Sequence, residues 1–153
     1  MRVKEMIDAA RHYTGFSLAT GLTEDDKIAA LYLELNNTLA IMATAAAKKE
    51  TRDELLTYYC DVLYAFCRVG NQRKWTYLML LSDEQTIQLQ QKWASQAVAK
   101  LFMILQQQLN KSFFERQNQP FLHAWHLLLK FGLVELEYTP SEIEERYFTK
   151  FTN

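Results

Sequence analysis

Residues that bend or break a chain are scarce. Four Gly and two Pro among 153 residues leave few places for a sharp turn. No internal repeat and no linker composition interrupts the chain. Cysteine is equally sparse: Cys60 and Cys67 fall on one predicted helix, about 10 Å apart along its axis. That is too far to bridge, so two reduced, buried thiols are expected. No sign of charge dominates, with 17 Lys and Arg against 18 Asp and Glu and a formal net charge of -1. No basic cluster exceeds a pair (Lys48-Lys49, Arg73-Lys74), which removes the electrostatic footprint of a nucleic-acid binder. Long apolar runs are missing too. The uncharged stretch Leu35 to Ala47 spans 13 residues, short of the roughly 20 a membrane-spanning helix needs. Arg2, Lys4, Glu5, Asp8 and Arg11 break up the start of the chain as a secretory leader would not. No membrane span and a cytoplasmic location are expected.

What is present suits an ordinary globular domain, 49% hydrophobic and 23% charged. A chain of this length can bury roughly 70% of its unfolded surface, so residues 1–153 are expected to form one domain without a disulfide or metal staple. Helix starts are written locally. Thr51 to Glu54 and Ser82 to Gln85 have the spacing of capping boxes, in which a hydroxyl caps one free amide and the acid or amide side chain reaches back to another. Thr23 precedes three acids that complement the positive end of a helix dipole, and Thr139 precedes Pro140 at a first helical position. Helices are predicted at about 2–13, 23–48, 51–69, 83–110, 120–131 and 140–151. Ile28, Leu31, Leu35, Leu39, Met42 and Ala46 form one apolar stripe; Ile87, Ala94, Val98, Leu101, Leu105 and Leu109 form another. Gly70-Asn71 and Gly132 stand where left-handed C-terminal caps would fall. Arg73 to Leu81 is too short to classify by period and is expected to cover one end. The predicted architecture is all-α, an antiparallel bundle of four to six helices.

The informative pattern is where charge is missing and then returns once. Between Lys27 and Lys48 the only charged residue is Glu34, and between Glu54 and Arg68 the only one is Asp61. Neither has a basic neighbour at helical spacing. A carboxylate taken out of water costs several kcal/mol unless something satisfies it. The candidates are a metal, a distant Arg or Lys, or hydrogen bonds from Asn, Thr and Tyr. The two helices are joined by a couple of residues and should pack antiparallel. Glu34 lies about 14 residues before that turn and Asp61 about 10 after it, an axial offset of roughly 6 Å. The two acids can therefore share a site.

These residues resemble the all-α nucleoside triphosphate pyrophosphatases, the superfamily of MazG-like proteins and dimeric dUTPases. That family carries Glu-x-x-Glu on one helix and Glu-x-x-Asp on the next. Here the matching positions read Glu34-Leu-Asn-Asn37 and Tyr58-Tyr-Cys-Asp61, followed by Val-Leu-Tyr-Ala-Phe. The outer acids are kept; the inner two are Asn37 and Tyr58. A looser likeness covers Leu127 to Leu133 and Ser141 to Lys150, similar to the late helix pair of the dimeric dUTPase branch. There the pattern continues into a nucleotide-contacting tail, whereas this sequence runs to Asn153. The resemblance implies a homodimer in which Glu34, Asp61 and Asn37 hold Mg²⁺ for a nucleoside triphosphate, with Tyr58 and Lys150 on the substrate side. Pyrophosphate and a nucleoside monophosphate would be released. No catalytic base is identified, because Asn37 and Tyr58 occupy the positions that would supply one and Glu54 is explained by its cap.

A second class competes. Glu34 and Asp61 can instead be hydrogen-bonded polar groups, with Tyr58, Tyr64, Asn36 and Asn37 as partners, that fix helix register or dimer geometry in a non-catalytic interaction or assembly protein. Loss of both inner acids favours it. His123 and His126 have a spacing two metal ligands can use, but no third ligand lies nearby and packing explains them better. His12 stands alone. Glu135, Glu137, Glu142, Glu144 and Glu145 read as a solvated C-terminal face.

Overall fold

The computed structural model describes residues 1–13, 21–93 and 97–152. They form eight α-helices and no strand: α1 (Val3–His12), α2 (Glu24–Ala47), α3 (Arg52–Arg73), α4 (Thr76–Met79), α5 (Asp83–Gln90), α6 (Val98–Glu115), α7 (Asn118–Lys130) and α8 (Pro140–Lys150). A π-helical turn, Phe131–Glu135, extends α7. The all-α architecture is as predicted, with more helices than the four to six expected.

Caps set the boundaries. Thr51 accepts from the Glu54 amide, Ser82 and Gln85 complete a reciprocal capping box, and Thr139 accepts from the Glu142 amide. Thr23 departs from this pattern. Its hydroxyl donates to the Asp26 carboxylate at 3.0 Å instead of capping a backbone amide.

Two expectations need correction. The single helix over 83–110 is two, α5 and α6. Gln91 closes α5 through its amide to the Ile87 carbonyl, and Ala97 is extended backbone at the start of α6. The apolar stripe misled because Ile87 is exposed while Thr86 and Leu89 are the buried residues of α5; Ala94 lies outside the described residues. The glycines are not caps either. Helix α3 runs on to Arg73, and Lys74 takes the left-handed conformation with φ 63°. A Cβ at Gly70 would collide with the Met79 sulfur, and one at Gly132 with the Tyr59 ring. Both glycines are there for close approach within the core.

Helix α3 is the axis of the molecule. Packing against α2, α1, α8 and α4 buries it on nearly every side, from Leu55 through Tyr59, Cys60, Phe66 and Cys67 to Gly70. The polar tips of its buried neighbours find fixed carbonyls. Tyr59 donates to Leu128 O at 2.9 Å, Trp125 Nε1 to Met79 O at 3.0 Å, and Tyr147 to Met6 O at 2.8 Å. The Trp125 bond ties the short α4 to α7. A fully buried Phe or Leu contributes about 1.5–3 kcal/mol, so this aromatic centre dominates stability. Cys60 and Cys67 are unpaired and buried, and desolvation pushes both thiols up to about 12.

Helix α2 is less enclosed. It packs on α3 and α6 with Leu31, Leu35, Leu39 and Met42, yet leaves Leu33 and Ile41 exposed. By length and composition it is the one described helix apolar enough to cross a membrane, and it packs along α3 and α6. The late acids also differ from a purely solvated face. Arg52 binds Glu142 at 2.5 Å, the Arg2 amide donates to Glu144 at 3.0 Å, and Lys130 lies 3.8 Å from Glu135.

Candidate functional site

Helices α2 and α3 turn back on each other through Lys49, whose φ of 57° is left-handed, and the Glu50 amide bonds to Ala45 O at 3.1 Å. Between their solvent-facing edges runs a groove of about 490 Å³. Leu33, Glu34, Asn37 and Thr38 line it from α2, Asp61, Tyr64, Ala65 and Arg68 from α3, and Phe151 closes it at the end of α8. The two solitary acids therefore line one cleft, together with Asn37.

Each acid has a cation from a neighbouring element. Arg68 pairs with Glu34, each side chain only 17% exposed. Lys150, in the last turn of α8, reaches Asp61 at 2.5 Å with exposures of 36% and 30%. Distant cations, one of the three candidates for satisfying the carboxylates, contact both acids. The alternative partners serve elsewhere: Asn36 donates to Tyr32 O at 2.9 Å, and Thr38 to Leu35 O at 2.9 Å. The Glu34–Arg68 pair is the drier of the two, so breaking it on one side costs more.

The apolar part of the groove is aromatic. Tyr64 and Phe151 stack with ring centroids 4.2 Å apart and planes 9° from parallel. Tyr13 meets both edge-on, at 5.6 Å and 5.4 Å. Burial raises the Tyr64 hydroxyl above its ordinary value, while Arg68 pulls it back. The phenol is thus a neutral hydrogen-bonding group beside the ion pair.

Of the other residues singled out from sequence, Tyr58 is half-buried against the core, one turn before Asp61, and does not line the groove. His123 and His126 sit on the outer side of α7, and His12 shares a 2.8 Å hydrogen bond with Asp8 O. Among the described residues no group of three or more His, Cys, Asp or Glu side chains could hold a metal ion. Sequence reasoning named Tyr64 as a partner of the acids but missed Arg68 and Phe151 as groove residues. Arg68 was findable, since it lies two helical turns beyond Asp61 on the same face, where the antiparallel register meets Glu34. Compared with known proteins, the chain matches no family model, no curated protein and no solved structure.

Proposed function

We propose that the α2–α3 groove is a nucleoside triphosphate site of the all-α pyrophosphatase kind, with its acids reduced to Glu34 and Asp61. One observation carries this reading: two carboxylates, an amide, an arginine and a stacked aromatic pair line a single groove, and Lys150 reaches one of its carboxylates. Each has a use on a nucleotide. The Arg68 guanidinium can fork onto phosphate oxygens, the Lys150 ammonium acts as a point charge, and the Tyr64–Phe151 stack offers a flat apolar surface to a base. Glu34, Asp61 and the Asn37 carbonyl suit one Mg²⁺ that takes its remaining oxygens from phosphate and water. When bound, that ion supplies charge neutralisation to the triphosphate. The described groove residues include no histidine and no third carboxylate, so slow turnover is expected. The test is Mg²⁺-dependent release of pyrophosphate from a nucleotide panel. Glu34→Gln with Asp61→Asn should abolish it, and unchanged turnover would rule out these ligands.

A second reading is a non-catalytic helical assembly protein in which α2 meets a second copy of the chain through exposed Leu33 and Ile41. It is favoured by the cation already resting on each acid. Calorimetry with Mg²⁺ and a non-hydrolysable triphosphate separates the two. Absence of heat, with a changed oligomer size in the double variant, supports assembly.

A further inference from the structure

The ion pairs that fill the groove bear on how a ligand would enter it. Glu34 and Arg68 face each other across α2 and α3, and Asp61 and Lys150 across α3 and α8. All four side chains belong to one cleft or its rim, and their formal charges cancel. A divalent cation arriving alone meets carboxylates whose charge is already offset by a cation in contact, and it would have to displace or sit beside that cation. A polyphosphate arriving alone meets an arginine and a lysine that hold carboxylates. Together the two ligands remove both obstacles, because phosphate oxygens can take the cations while the metal takes the acids.

We infer that Arg68 and Lys150 are exchange residues: they leave Glu34 and Asp61 for phosphate when a polyphosphate binds, so that Mg²⁺ and polyphosphate bind with positive coupling and Mg²⁺ by itself binds poorly. The inference rests on the nucleotide reading of the groove and adds how the site is switched on. Every charge keeps an opposite partner before and after the exchange, which is what permits it without leaving a buried ion uncompensated. Coupling of this kind is reciprocal, so tripolyphosphate strengthens Mg²⁺ binding by the same factor that Mg²⁺ strengthens tripolyphosphate. Lys150 is the more exposed cation and leaves more readily. Arg68 sits deeper, with its guanidinium carbon 5.8 Å from the Tyr64 ring centroid, and carries the stronger preference for a forked oxyanion.

The experiment is calorimetric titration of the full chain with MgCl₂ alone, with inorganic tripolyphosphate alone, and with each in the presence of the other. Lys150→Met and Arg68→Gln are measured alongside, with thermal unfolding to show that each variant is folded. In the wild type each ligand should tighten the other by at least about fivefold. Lys150→Met should weaken tripolyphosphate by about tenfold while tightening Mg²⁺ alone roughly threefold, because Asp61 loses its resident cation. Equal Mg²⁺ affinity with and without tripolyphosphate, or Mg²⁺ binding unchanged in both folded variants, overturns the exchange while leaving nucleotide binding intact. No tripolyphosphate binding under any condition takes down the nucleotide reading, and the exchange with it.

Discussion

The two faces of α3 handle polar groups in opposite ways. Its fully buried polar atoms are neutral and their partners are backbone carbonyls of α7 and α8: Tyr59 on Leu128 O, and Cys60 Sγ on Ile143 O at 3.7 Å. On its solvent-facing side they are formal charges whose partners are side chains, Glu34 of α2 on Arg68, and Lys150 and Arg146 of α8 on Asp61 and Asp53. A backbone carbonyl cannot move without its helix, whereas a lysine or arginine can rotate to a new partner at little cost to packing. One helix therefore carries a fixed face that holds the fold and an adjustable face suited to a charged ligand.

Substitutions on the fixed face should have the largest effects. Trp125→Ala removes a fully buried indole and its bond to Met79 O, and should cost about 3–5 kcal/mol in denaturant unfolding. A loss under 1 kcal/mol would mean that α4 and α7 are not packed as described. Alkaline pH should also act on this face. Both thiols have folded values of about 12 against an ordinary 9.0, so the unfolded chain gives up these protons first. Their stabilising contribution is intact below about pH 9 and falls as pH rises toward about 12, which equilibrium unfolding across that range can follow. Gly132→Val drives a branched side chain at the Tyr59 ring and should cost about 1–3 kcal/mol. Tyr59→Phe loses one buried hydrogen bond, for about 1 kcal/mol.

On the adjustable face, stability changes should be smaller and should depend on pairing. Glu34→Gln and Arg68→Gln singly should each cost about 1 kcal/mol, with the double substitution costing less than the two together, because it strands no charge. Additive costs in that double-mutant cycle would show that the pair does not act as a unit. Asp61→Asn, at a more exposed pair, should stay within about 0.5 kcal/mol of wild type. A loss as large as that of Trp125→Ala would erase the distinction between the faces.

Local chemistry explains which of these features the sequence makes legible. Helix starts at Thr51, Ser82 and Thr139 depend on a few adjacent residues, and all three caps form. The meeting of Glu34 and Asp61 follows from one short turn and one rise per residue. The glycine roles could not be read that way, since Gly70 and Gly132 answer to Met79 and Tyr59, which only the tertiary fold brings near. The break between α5 and α6 was hidden by an apolar period that continues through it. Lys150 and Phe151 enter the groove from the far end of the chain, a contact no helical periodicity encodes.

The most direct test of the groove as a polyphosphate site is amide chemical-shift mapping of the full chain with Mg²⁺ and a non-hydrolysable nucleoside triphosphate. The account predicts saturable shifts concentrated at residues 33–38, 61–68 and 150–151. Shifts confined to another surface, or none at millimolar ligand, would contradict it.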